Sequence, residues 1–63
     1  MEYRIKFSDR QTECFEASED HRNAVKKAFR ILNIRGRIRL NKFEETGAIG
    51  IYCDEKQIYP LVH

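Results

Sequence analysis

The chain has few of the residues that stabilise small secreted or metal-binding domains. Its only cysteines, Cys14 and Cys53, are far apart and lack a CxxC spacing, and its two histidines are at positions 21 and 63. A small disulfide-rich domain normally has more cysteines, and zinc sites use short ligand spacings that are missing here. We therefore expect reduced thiols in a cytoplasmic protein, with one Cys14–Cys53 disulfide as the alternative, and neither a metal nor a cofactor.

Long apolar runs and catalytic motifs are missing as well. No stretch approaches the roughly 20 apolar residues of a membrane span, and no apolar signal core follows Met1. The sequence contains no P-loop, dinucleotide-binding fingerprint, HExxH or GxSxG motif. The carboxylate pairs at 19–20, 44–45 and 54–55 fall at expected caps or loops, where they favour the helix dipole or solubility. We expect one non-enzymatic domain over residues 1–63 that works by binding and does not engage a membrane.

Alternation of apolar and polar residues predicts five strands. Residues 8–11 provide the turn of a first hairpin. Pro60 marks the last strand as an edge strand, because proline has no N–H to donate to a ladder. Ile49 and Ile51 are expected on the same face of one strand. The five predicted strands are residues 3–7, 12–17, 37–41, 48–53 and 58–62.

One amphipathic helix is predicted between the second and third strands. Ser18 suits the N-cap, because its hydroxyl accepts a hydrogen bond from an amide of the first turn. Asn33 and Gly36 suit the C-terminal end, because both tolerate left-handed backbone geometry. An apolar stripe with three- and four-residue spacing is formed by Ala24, Val25, Ala28, Phe29 and Leu32.

The predicted fold is therefore α+β, with the element order β-β-α-β-β-β. If the third strand lies beside the first, the sheet order is 2-1-3-4-5, every neighbouring pair is antiparallel and the helix crosses one face. Such a sheet is roughly 20 Å or more wide, whereas a helix is about 10 Å across. We expect a homodimer through the last strand to cover the remaining apolar surface, with strong curling of the sheet as the alternative.

Acidic residues are missing from the middle of the chain. From Arg22 to Lys42 there are eight basic residues and no Asp or Glu. The rest of the chain keeps four of the twelve basic residues and all ten acidic residues. The net charge of +2 therefore conceals a segment of +8 beside flanks that total −6.

Periodicity distributes these charges over two surfaces. Arg22, Lys26 and Arg30 recur every four residues on the solvent side of the predicted helix. Arg37 and Arg39 alternate with apolar residues, so they are expected on the sheet face opposite the helix. Strand parity adds four side chains to this open face, namely Arg4, Lys6, Phe43 and Tyr52.

A sheet face of cations interleaved with aromatic rings suits single-stranded nucleic acid, because cations bind phosphates and rings stack on bases. Five of the eight basic residues are arginine, whose planar guanidinium pairs with phosphate through two hydrogen bonds. We predict a protein that binds nucleic acid or a nucleoprotein complex. The predicted binding residues are Arg37, Arg39, Arg35, Arg4, Lys6, Arg30, Lys26 and Tyr52.

Other interpretations of the charge remain open. A run of charge is often only a solvated surface, and the open face of an antiparallel sheet is polar in any case. The basic surface also suits an acidic protein partner. In a structural homodimer, the charges would serve solubility alone.

The passage from the second strand into the helix resembles a known group of proteins. It reads Phe15-Glu16-Ala17-Ser18-Glu19-Asp20, followed by the apolar pairs Ala24-Val25 and Ala28-Phe29. It is similar to the same passage of very small phage-encoded inhibitors of host machinery, including anti-CRISPR proteins and inhibitors of bacterial RNA polymerase. The likeness covers the element order across most of the chain. It implies a non-enzymatic protein that blocks a surface of a host protein or nucleoprotein assembly, and it assigns no functional residue.

Overall fold

Four antiparallel strands form one sheet, and two helices pack on the same face of it. The computed structural model describes residues 1–60. The sheet order is β2-β1-β3-β4, which confirms a small α+β fold with an open antiparallel sheet. The elements along the chain are β1 (Glu2–Phe7), β2 (Glu13–Glu16), α1 (His21–Ile31), α2 (Leu40–Glu45), β3 (Ala48–Cys53) and β4 (Lys56–Tyr59).

The prediction of a third strand at residues 37–41 is wrong, because this segment forms no strand. The predicted five-strand order 2-1-3-4-5 and the prediction of a single helix are therefore wrong as well. Leu40 begins α2 instead, and β3 pairs directly with β1. The alternation in this segment does not follow burial, since Ile38 and Leu40 are 40% and 43% exposed. Phe43, which was expected on the open face, is fully buried because the helix turns its ring onto Phe29.

The last strand begins two residues earlier than predicted, in the segment that was expected to form a turn. β4 covers Lys56–Tyr59, and the end of the predicted strand at residues 61 and 62 lies outside the described residues. Two helices, and not one, cover a sheet of four strands, and not five. Ile58 of the last strand is buried within the single chain. The area argument for a homodimer therefore no longer applies, and the homodimer itself stays a prediction.

Local hydrogen bonds explain where α1 begins and ends. Asp20, and not Ser18, is the N-cap, and its carboxylate accepts from the amide of Arg22 at 3.0 Å. Asn33 ends the helix with a φ of 62°, as the sequence indicated. The amide of Asn33 donates to Arg30 and that of Ile34 donates to Phe29, the pair of bonds that defines a Schellman motif.

A bulge in β3 separates two isoleucines that were expected to share a face. Gly50 lies opposite Lys6 and Ala48 opposite Phe7, so that Ile49 between them has no partner on β1. The extra residue changes the alternation of side chains at this point. Ile49 is therefore 53% exposed.

An aromatic cluster joins the two helices to the edge of the sheet. The rings of Phe29 in α1 and Phe43 in α2 stack with their centroids 5.4 Å apart. Tyr59 of β4 meets both rings edge to face, at 5.4 Å from Phe29 and 5.0 Å from Phe43. Such pairs favour offset or edge-to-face geometry and add to the stabilisation from burial. The cluster fixes α1, α2 and β4 relative to one another.

Neither helix of residues 1–60 has the length and apolar character that a membrane span needs.

Truncation of Phe43 tests whether α2 belongs to the core. We expect Phe43→Ala to lower the free energy of unfolding by about 3–5 kcal/mol, because it removes a fully buried ring and leaves a cavity. Leu40→Ala, in the same helix but exposed, should cost far less. Thermal denaturation followed by circular dichroism measures both. A Phe43→Ala variant that melts within a few degrees of wild type would show that α2 does not support the core.

The two cysteines should differ in reactivity. Both thiols are free, and the predicted alternative of a Cys14–Cys53 disulfide is not formed. Cys14 is exposed on β2 opposite Arg4, whereas Cys53 is buried on β3, with β1 between the two strands. We expect iodoacetamide to modify the native protein once, at Cys14, and the denatured protein twice. Mass spectrometry counts the adducts, and modification of Cys53 at the same rate as Cys14 under native conditions would contradict this placement.

Candidate functional site

The basic residues that were predicted to share one surface are separated in the folded chain. Arg4 and Lys6 of β1 and Tyr52 of β3 are on the open face of the sheet, as predicted, with Arg4 opposite Tyr52. Arg37 and Arg39, which were expected beside them, are not on this face because residues 37–41 do not form a strand. The predicted binding surface is thus divided.

Contacts within the protein engage the cations of the open face. The guanidinium of Arg4 donates to the backbone carbonyl of Asp54. The ammonium of Lys6 lies 4.4 Å from the centroid of the Tyr52 ring, a cation–π contact. The Tyr52 ring itself lies over Gly50, where a Cβ would come within 2.8 Å of it. All three side chains are half-buried, so their charges and ring faces are only partly available to a ligand.

Helix α1 presents a second basic surface. Its buried residues are Ala24, Val25, Ala28 and Phe29. All four cations of the helix are exposed, and Lys27 donates to the backbone carbonyl of Glu16. The other three recur every four residues, so that eight residues separate the first from the last by about 12 Å; they are Arg22, Lys26 and Arg30.

The connection between the helices brings a fourth cation to this surface. After the Schellman end of α1, Gly36 has a φ of 88°, a left-handed geometry that favours glycine. The chain then turns back, and Arg37 and Ile38 lie beside α1. Arg37 lines a hollow together with Lys26 and Arg30, and we call this hollow the basic groove. Its apolar lining residues are Phe29, Ile34 and Ile38.

A second hollow of about 370 Å³, which we call the apolar groove, adjoins the basic groove. Its walls are Val25 of α1, Ile38 of the connection, and Ile58 and Tyr59 of β4. Ile38 lines both grooves, so they adjoin at this residue: the apolar groove lies between α1 and β4, and the basic groove between α1 and the connection. The cations Arg22 and Lys56 lie on its rim, with His21 and Gln57.

The groove cations have no carboxylate partners within the described part of the chain. The ion pairs found there join the N-terminus to Glu16, Arg10 to Asp9 and Lys42 to Glu45. The cations of the two grooves are exposed and take part in none of them; these are Arg22, Lys26, Arg30, Arg37 and Lys56. This surface therefore has an uncompensated positive charge.

Two other predicted binding residues lie away from the grooves. Arg35 lines a different hollow, beside Lys42 and Glu45. Arg39 is the exposed N-cap residue of α2 and lines neither groove. Of the eight predicted residues, the structure brings three together in the basic groove, namely Lys26, Arg30 and Arg37.

The eight predicted binding residues include no member of the apolar groove, not even Arg22. Lys56 and Tyr59 are on a strand distant in sequence from the basic segment, and no local pattern links them to it. Ile38 was assigned to the core of the sheet, although it is exposed between the grooves. The one sequence pattern that points to this surface is the four-residue spacing of Arg22, Lys26 and Arg30, which places their side chains on the same side of a helix.

Hydrogen bonding in the apolar groove rests on a few groups. Desolvation by burial, and to a lesser extent the charge of Glu44, raises the pKa of Tyr59 above its usual value. His21 is exposed, and its Nδ1 lies 3.1 Å from the Tyr3 hydroxyl. Within residues 1–60 no group of three or more His, Cys, Asp or Glu side chains is placed to hold a metal ion. The arrangement thus offers positive charge beside an apolar surface.

No protein-family model matches the chain, and no curated protein or solved structure matches it either. The resemblance to phage-encoded inhibitors stays a prediction.

Proposed function

We propose that this protein is a non-enzymatic module that binds nucleic acid, alone or within a nucleoprotein complex, through the cations of the basic groove and its neighbours. One observation carries the proposal. Arg22, Lys26, Arg30 and Arg37 are exposed on one surface and have no carboxylate partner among residues 1–60. Exposed, unpaired cations are free to replace the counterions that surround a phosphate backbone.

The identity and spacing of the cations favour phosphate as the ligand. Three of the four are arginine, and a guanidinium forms two parallel hydrogen bonds with a phosphate group. Successive cations on α1 are about 6 Å apart along the helix axis, because four residues separate them. A polymer with one negative charge at each repeat can therefore contact several of these cations at once.

The open face of the sheet is the weaker candidate for this contact. Binding there would compete with the hydrogen bond from Arg4 to Asp54 and the cation–π contact of Lys6 with Tyr52. The cations Arg22, Lys26, Arg30 and Arg37 take part in none of the ion pairs found among the described residues, whereas Lys27 of the same helix already donates to the carbonyl of Glu16. Phosphate contacts by these four cations therefore cost less rearrangement of the protein.

The distribution of charge over the chain also favours this surface. The segment from Arg22 to Lys42 carries +8, and the rest of the chain totals −6. Four of these eight cations belong to the proposed surface, namely Arg22, Lys26, Arg30 and Arg37. Their electrostatic potential directs the diffusional encounter with a polyanion toward this surface.

Two pairs of charge-neutralising substitutions test the proposal. Arg30→Gln with Arg37→Gln removes two cations from the basic groove, and Arg4→Gln with Lys6→Gln removes two from the open face. Both doubles change the net charge equally, so nonspecific attraction falls by the same amount in each. We expect the groove double to lower affinity and to reduce the slope of log affinity against log salt by about 1–2. The open-face double should stay close to wild type.

Fluorescence anisotropy with labelled DNA and RNA, single-stranded and duplex, measures both quantities over a series of salt concentrations. Circular dichroism of each variant checks that the fold is intact. No binding by wild type in low-salt buffer would refute the proposal. Equal losses in the two doubles would show that binding depends on overall charge and not on the basic groove.

A further inference from the structure

We propose that the apolar groove holds an unpaired base of a single-stranded nucleic acid whose phosphates bind the surrounding cations. This inference rests on the proposed function and names the form of nucleic acid that the site prefers. It starts from the adjacency of the two grooves, which share Ile38. A linear polymer that crosses Ile38 from one groove to the other contacts a row of cations and then an apolar hollow.

The walls of the apolar groove suit the flat, largely apolar faces of a base. Val25 and Ile38 lie on the side of α1 and the connection, and Ile58 and Tyr59 lie on the side of β4. The hollow has a volume of about 370 Å³, within the roughly 300–1,000 Å³ typical of small-ligand sites. Tyr59 is half-buried, which leaves part of its ring available to contact a base.

The rim of the apolar groove places a cation on either side of such a base. Arg22 extends from the first turns of α1, and Lys56 begins β4 on the opposite wall. Phosphates on the two sides of an inserted nucleotide would meet these two groups. Lys26 and Arg37 follow in the basic groove and can bind the next phosphate along the strand.

Duplex nucleic acid cannot use the groove in this way. Its bases are paired and stacked within the helix, and extrusion of one base costs a few kcal/mol. A single strand offers bases that are already accessible. Duplexes should therefore bind through phosphate contacts alone, with a lower affinity than single strands of similar charge.

The test separates base contacts from phosphate contacts. The probes are fluorescein-labelled oligothymidine and oligouridine of about twelve nucleotides, within the usual range of single-strand site sizes. An abasic strand of equal length has the same phosphates and lacks the bases. We expect wild type to bind a base-containing strand about tenfold more tightly than the abasic strand, since contact with one base contributes an affinity of that order.

Ile38→Ser removes the shared wall of the grooves without touching a charge. It should reduce binding of the base-containing strands to the level of the abasic strand, and leave abasic binding unchanged. Ile49→Ser is the matched control, because Ile49 is also exposed but lies on the β3 bulge, away from both grooves. This control should bind every probe as wild type does, and circular dichroism should report the same fold for both variants.

Each contrary outcome is distinct. Equal affinity of wild type for the base-containing and abasic strands would overturn the inference and leave the proposed function standing. No binding to any strand in low-salt buffer would overturn both. A glutamate-rich peptide carrying a leucine is the competing occupant, because it too combines negative charge with an apolar group. If Ile38→Ser weakens binding of that peptide while strand binding is unaffected, the groove is a protein-docking site and the inference is wrong.

Discussion

The packing of Phe29 against Phe43, with Tyr59 across the edges of both rings, is the contact on which the rest of the molecule depends. It brings together one ring from each of α1, α2 and β4. Ile34 of the connection between the helices also packs against the core. These contacts place Arg37 and Ile38 beside α1, and the contact of Tyr59 with Phe29 sets the spacing between α1 and β4. Both grooves depend on this packing.

The same cluster explains which parts of the fold could be predicted from the sequence. The stripe from Ala24 to Phe29 and the left-handed end at Asn33 are local signals, and local physics decides them. In residues 37–41 polar and apolar side chains alternate over only five positions. This length is too short to distinguish a strand from an exposed connection followed by a helix. The outcome there depends on burial of Phe43 against Phe29, a tertiary contact that periodicity does not encode.

The candidate site divides in the same manner. The helical period placed Arg22, Lys26 and Arg30 on one solvent-facing side, and the fold keeps them there. Arg37 and Arg39 were assigned to the sheet because the wrong element was given to their segment. Tyr59 of β4 lies next to α1 only in the folded protein, so the sequence alone does not predict that it lines the groove. The helical period predicts which charged side chains are exposed. A groove between elements that are distant in sequence cannot be predicted without knowledge of how those elements pack.

Tyr59 packs against the hydrophobic core and lines a groove at the same time. A change of this residue that alters the shape of the groove also removes an aromatic contact from the interior. Specificity and thermodynamic stability are therefore coupled at this position and cannot drift independently. Arg22, Ile38 and Lys56 have no such constraint, because their side chains are exposed. Divergence of this fold toward new ligands would proceed through those three positions first, while the aromatic side of the groove stays fixed.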